Sequence, residues 1–243
     1  MSPIVTLTLL VSFVARCTVW RKKSTRSITV AVGFLVLGTA SLPPMFGAAV
    51  LDPVLQSLTG YANWADLISG LLIGIACAGL LEFAVAASGI EIQPGAVRAL
   101  TVIWVEVLLM LWLTTSASTY CVTWTPEIET VGVGLYWLWL LYLPFGTMIA
   151  LATLTVRIVP RSRGRVRFAF ALMGISAAAG FAYCATSAAA VVVPGRNVFV
   201  RNQEIIGGVT GGVSVAALAL AGLCGVVSCR FIGQQERTDG TDR

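Results

Sequence analysis

Apolar and polar positions along this chain fall into blocks, with no short period running through them. Seven apolar runs stand out, roughly Ile4–Trp20, Ile28–Val50, Leu67–Ser88, Ala99–Ser118, Val133–Val156, Phe168–Val193 and Ile205–Cys229. About 20 apolar residues suffice to cross a bilayer as a helix, the one segment-autonomous structure that satisfies its own backbone groups in lipid. The pattern therefore predicts an all-α fold: a polytopic transmembrane helical bundle of seven spans. Residues 1–229 form a single transmembrane bundle domain, and 230–243 a short cytoplasmic polar tail. The connections are too short to hold a separate soluble domain. The first run is short and carries Arg16.

Composition leads to the same class. Of the 243 residues 57% are hydrophobic and 11% charged, and mean hydropathy is +0.88. A soluble domain has roughly 45–50% apolar and about 25% charged residues. This chain has too few charges to coat a water-soluble globule, and its hydrophobicity excludes disorder.

The net charge is +5, and its placement carries more information than its sum. Nothing basic precedes the first run, while Arg21, Lys22, Lys23 and Arg26 follow it. That order is the reverse of a cleaved signal peptide. Cytoplasmic loops are enriched in Lys and Arg, so we expect the N-terminus outside and the C-terminus cytoplasmic. The inner connections are then residues 21–27, 89–98 and 157–167 and the tail. Counting Arg16 with them, all of the 16 Lys and Arg except Arg196 and Arg201 lie on the inner side. The loop RIVPRSRGRVR supplies Arg157, Arg161, Arg163, Arg165 and Arg167. The expected location is the cell membrane, multi-pass. The expected partners are the lipid bilayer, anionic head groups at its inner face, and a membrane or cytoplasmic protein. Bases at the ends of apolar runs are topology signals, which argues against nucleic acid.

The chain has no histidine. That removes Ser-His-Asp and Cys-His catalysis, HExxH zinc sites and histidine haem ligation. Its six cysteines include no CxxC pair, and most lie in apolar runs, where Cys acts as a small hydrophobe. No metal, no cofactor and no enzymatic activity are expected.

Pro43-Pro44 falls in the outer half of the second run and Pro144 within the fifth. Proline removes a backbone donor and bends a helix, so kinks are expected there. The seventh run opens with Gly207, Gly208, Gly211 and Gly212 at GxxxG spacing, and the sixth contains GISAAAG. Small residues let helix backbones approach closely in lipid, so these two spans should pack tightly. The outer connections carry Asp52, Asp66, Glu127, Glu129 and Glu204, which read as solvated caps or as partners for the two external arginines.

Two carboxylates fall inside runs: Glu82 in the third and Glu106 in the fourth. An intramembrane charge costs roughly 2.5–3.5 kcal/mol even on a lenient insertion scale. Both residues lie about 10 Å above the inner boundary, at roughly 1.5 Å of rise per residue. Three readings compete. In the first the two face each other and share a proton or a cation, in the second either pairs with Arg16, and in the third each is a neutral acid in a polar seam.

The stretch TRSITVAVGFLVLGTASLPPMFGAAVLDPVLQSLTGYANWADLISGLL resembles the second-to-third helix region of a family of actinobacterial seven-helix integral membrane proteins. A second likeness is TPEIETVGVGLYWLWLLYLP, followed by the arginine loop and FALMGISAAAGFAYC, with Gly174, Gly180 and Tyr183 in a G…G-x-x-Y pattern. Those proteins are labelled transporters without a demonstrated substrate. The resemblance implies seven helices and a small-solute or ion transporter or channel, and brings no catalytic residues with it. The alternative is a non-catalytic membrane sensor or interaction subunit acting through the arginine-rich cytoplasmic loop.

Overall fold

A computed structural model describes residues 3–20, 23–90, 93, 95–119, 130–192 and 197–239. Among these the chain is helical throughout, with no strand. The helices are α1 (Pro3–Cys17), α2 (Lys23–Ala40), α3 (Asp52–Thr59), α4 (Trp64–Ser88), α5 (Ala96–Thr114), α6 (Val131–Ile158), α7 (Gly164–Val192) and α8 (Asn197–Asp239). A π-helical segment, Pro43–Leu51, links α2 to α3. Short 3₁₀ turns follow α5 at Ser116–Ser118 and α6 at Val159–Arg161.

Five helices are long and apolar enough to cross a membrane: α4, α5, α6 with its 3₁₀ turn, α7, and α8 over Ile205–Val226. The first two runs form shorter apolar helices, Ile4–Cys17 and Arg26–Ala40. The second run is not one straight helix. α2 ends before Leu42, whose ψ of 146° is extended, as the residue ahead of a proline prefers. Pro43 and Pro44 then open the π segment, and the path continues through α3 to Gly60, whose φ of +77° ends it. Pro144 behaves differently, because α6 runs on through it. α8 also exceeds its apolar run. The expected polar tail 230–243 is helical as far as Asp239, so at roughly 1.5 Å per residue α8 is about 64 Å long.

Side-chain contacts give the helix directions. α1 and α8 run parallel: Ser12 Oγ donates to Ala219 O at 3.0 Å, and Arg16 Nη1 to Gly222 O at 3.2 Å. α4 and α6 run parallel at Thr147, whose Oγ1 donates to Cys77 O at 3.1 Å. α5 is antiparallel to α6, and α7 to α8. α6 touches α4, α5 and α7, while α8 packs on α7 and α1, and α4 reaches α2. The core holds Trp104, Leu108, Trp112, Tyr136, Leu143 and Leu151 among its largest fully buried side chains. Large apolar side chains also cover the outside, among them Met110, Leu113, Leu135, Ile149, Ile175, Val209 and Val213. Contiguous apolar surface of this extent is suited to lipid and unsuited to water.

α7 and α8 form the most extensive helix pair, as expected from their small residues. Ser214 Oγ donates to Ser176 O at 2.8 Å, and the two hydroxyls lie 3.3 Å apart. A methyl group on Gly180 would sit 2.9 Å from Ser214 Oγ and 2.5 Å from Met148 Sδ, so this glycine sets the close approach. Of the GxxxG glycines, Gly208 and Gly212 contribute less to it. A methyl on Gly208 would meet nothing within 4 Å, and one on Gly212 would reach only Val5 of α1, at 3.8 Å.

Candidate functional site

The three charges within apolar runs have three different settings. Arg16 is buried, with 5% exposure, in the seam between α1 and α8. Its guanidinium meets a backbone carbonyl of α8, that of Gly222. A methyl on Gly222 would come within 2.9 Å of Ser12 Oγ and 3.3 Å of Arg16 Nη1, so the glycine makes room for the arginine. Glu82 is half-buried on α4 and accepts from Arg98 Nε at 3.1 Å. Arg98 stands in the first turn of α5 and is 81% exposed on its side chain. An exposed pair of this kind is worth only about 0–1 kcal/mol. Its consequence is that Glu82 has a cationic partner within the chain.

Glu106 differs from both. It is exposed, on the outer face of α5, among Val102, Ile103, Met110 and Leu113. The buried face of the same helix carries Trp104, Leu108 and Trp112. No ion pair involves Glu106 among the described residues.

At the end of the bundle where α4 and α6 finish there is an open cleft of about 440 Å³. It is lined by Ala87 and Ser88 of α4, by Leu154, Arg157 and Ile158 of α6, and by Arg161 and Ser162. None of these is acidic. Arg157 and Arg161 are both exposed, and neither is in an ion pair among the described residues. Ser88 and Ser162 donate to backbone carbonyls of their own helical turns, which leaves the guanidinium groups as the strong donors facing the cleft. Two such forks match phosphate and carboxylate oxygens. Arg163, Arg165 and Arg167 are exposed on the same end, in the turn into α7.

The opposite end is tied by hydrogen bonds. Ala62 N donates to Ser118 O at 2.7 Å and Asn63 Nδ2 to Ala117 O at 2.7 Å. Asp52 Oδ1 accepts from Ala65 N at 2.7 Å, which satisfies an amide at the start of α4. Sequence reading left Asp52 as a solvated cap of a loop, whereas here it caps a helix. It opens α3 and lies 13 residues before Ala65, so no local sequence pattern signals the contact. Between the ends, the Tyr136 hydroxyl and Trp112 Nε1 are buried with no hydrogen-bond partner among the described residues. Asp66, in the first turn of α4, lies within electrostatic reach of Tyr136 and Tyr183. Glu127 and Glu129 lie outside the described residues.

The fold thus defines an all-helical protein compatible with integration into a membrane. No family model, no curated protein and no solved structure matches the chain.

Proposed function

We propose that the chain is a seven-crossing protein of the cell membrane, N-terminus outside, that works as a non-catalytic sensor or interaction subunit through its arginine-rich inner face. Seven crossings are supported by the five long helices together with α1 and the broken α2–Pro43–Leu51 path. A span shorter than the hydrocarbon is accommodated by local thinning of the bilayer. The orientation is supported by the Lys and Arg distribution.

The observation that carries the function is the cleft with Arg157 and Arg161, two guanidiniums without an acidic partner among the described residues, at one end of the bundle. In this orientation the cleft opens at the inner head-group level, where its ligand is the phosphate of an anionic lipid. Native mass spectrometry of the purified chain tests this. Phosphatidylglycerol should be retained in preference to phosphatidylcholine, and an Arg157→Gln/Arg161→Gln double variant should lose that preference. Equal retention by both proteins refutes the assignment.

Transport of a small solute or ion is the second reading. It is supported by the family resemblance and by the buried Tyr136 hydroxyl and Trp112 Nε1, which have no hydrogen-bond partner among the described residues. Flux into proteoliposomes that is lost in Glu82→Gln and in Tyr136→Phe would favour it.

A further inference from the structure

We infer that the outer face of α5 is a self-association surface, on which Glu106 of one chain meets Glu106 of a second copy within the membrane. The inference rests on the reading that α5 crosses the bilayer.

Ala99, Val102, Ile103, Glu106, Met110 and Leu113 recur at helical spacing and so form one stripe. All six are exposed. α5 is also the least covered of the five long helices: 17% of its most apolar stretch is buried, against 28–50% in the others. Glu106 lies near the middle of the helix, about 15 Å from one end and about 12 Å from the other at roughly 1.5 Å per residue. Glu106 has no protein partner among the described residues, and intramembrane carboxyls are expected to face protein.

Three arguments select a second copy as the partner. Two carboxyl groups that share a proton form a donor–acceptor pair, so the group complements itself. Two copies inserted the same way and related by a two-fold axis along the bilayer normal bring the same residue to the same depth. The nearest base on α5, Arg98, is two turns away and already holds Glu82, so this stripe offers no cation at the depth of Glu106. Above and below the carboxyl pair, Val102, Ile103, Met110 and Leu113 would pack against their counterparts.

The test is single-molecule photobleaching of the fluorescently tagged full chain in lipid bilayers over a density series. Carbonate extraction of the same membranes is run in parallel. The wild type should bleach in two steps as density rises. Glu106→Gln keeps a donor and an acceptor and should dimerise like the wild type. Glu106→Leu removes the hydrogen-bonding group without disturbing an apolar helix, and it should weaken association by roughly 3- to 20-fold, the range of interhelical hydrogen bonds in membranes. A chain that resists carbonate extraction yet bleaches in one step at every density overturns the inference, as does a dimer indifferent to Glu106→Leu. Release by carbonate instead overturns the membrane reading beneath it.

Discussion

Trp104 and Trp139 exchange hydrogen bonds across the α5–α6 seam. Nε1 of Trp104 donates to the carbonyl oxygen of Trp139 at 2.8 Å, and Nε1 of Trp139 donates to that of Trp104 at 3.0 Å. The arrangement satisfies two indole donors in apolar surroundings and fixes the register of the two helices. Gly74 of α4 lies under the Trp104 ring, where a methyl group would collide with it. Packing and interhelical hydrogen bonds of this kind must hold a bundle together in lipid, because lipid gives helices no hydrophobic reason to associate.

This clamp predicts two stability losses. Trp104→Phe should destabilise the folded bundle by about 1 kcal/mol through the lost hydrogen bond, plus a smaller packing loss. Gly74→Ala should cost roughly 1–3 kcal/mol through overpacking. Denaturant-induced unfolding in detergent micelles measures both. Equal stability of Gly74→Ala and the wild type would contradict the placement of Trp104.

The α1–α8 seam gives a second prediction. Gly222→Val should push α8 away from Ser12 and Arg16 and destabilise the protein by roughly 1–3 kcal/mol. Gly208→Ala should be tolerated, since its added methyl meets nothing within 4 Å. Thermal unfolding of the two variants side by side checks the contrast.

The Glu82–Arg98 pair predicts a small effect. Its arginine is largely exposed, so Glu82→Gln should change stability by less than about 1 kcal/mol. A loss of several kcal/mol would mean that Glu82 is held by more than Arg98.

Asp52, partly buried at the start of α3, predicts a measurable loss. Asp52→Ala removes the acceptor for Ala65 N and should cost about 0.5–2 kcal/mol, the range for helix-capping side chains, whereas Asp52→Asn keeps an acceptor and should cost less. Amide hydrogen exchange at the start of α4 reads this locally.

Helix extent was legible in the sequence and azimuth was not. The apolar runs locate α4 to α7 to within a few residues, because length and composition are what the bilayer constrains. They miss the extra length of α8, since Asn197–Glu204 and Arg230–Asp239 are interrupted by polar and charged residues and yet remain helical. The partners of Arg16, Glu82 and Glu106 depend on the rotation of each helix about its axis. In helices apolar on nearly every side, the sequence has little amphipathic contrast from which to read that rotation. Glu82 and Glu106 therefore read as residues of similar depth, while in the fold one meets Arg98 and the other faces outward. Likewise, Gly180 and Gly222 make close contacts that the GxxxG spacing of Gly207, Gly208, Gly211 and Gly212 does not point to, and an added methyl on Gly208 would meet nothing within 4 Å.

Topology underlies every functional statement made for this chain, and cysteine accessibility in intact cells measures it directly. With the six native cysteines replaced by alanine, single cysteines are placed at Ser2, Thr59 and Ser162 and treated with a membrane-impermeant maleimide. Labelling at positions 2 and 59, with position 162 reached only after permeabilisation, is the predicted result. Labelling of position 162 from outside, or protection of position 2, would contradict the seven-crossing orientation and remove the arginine cleft from the cytoplasmic face.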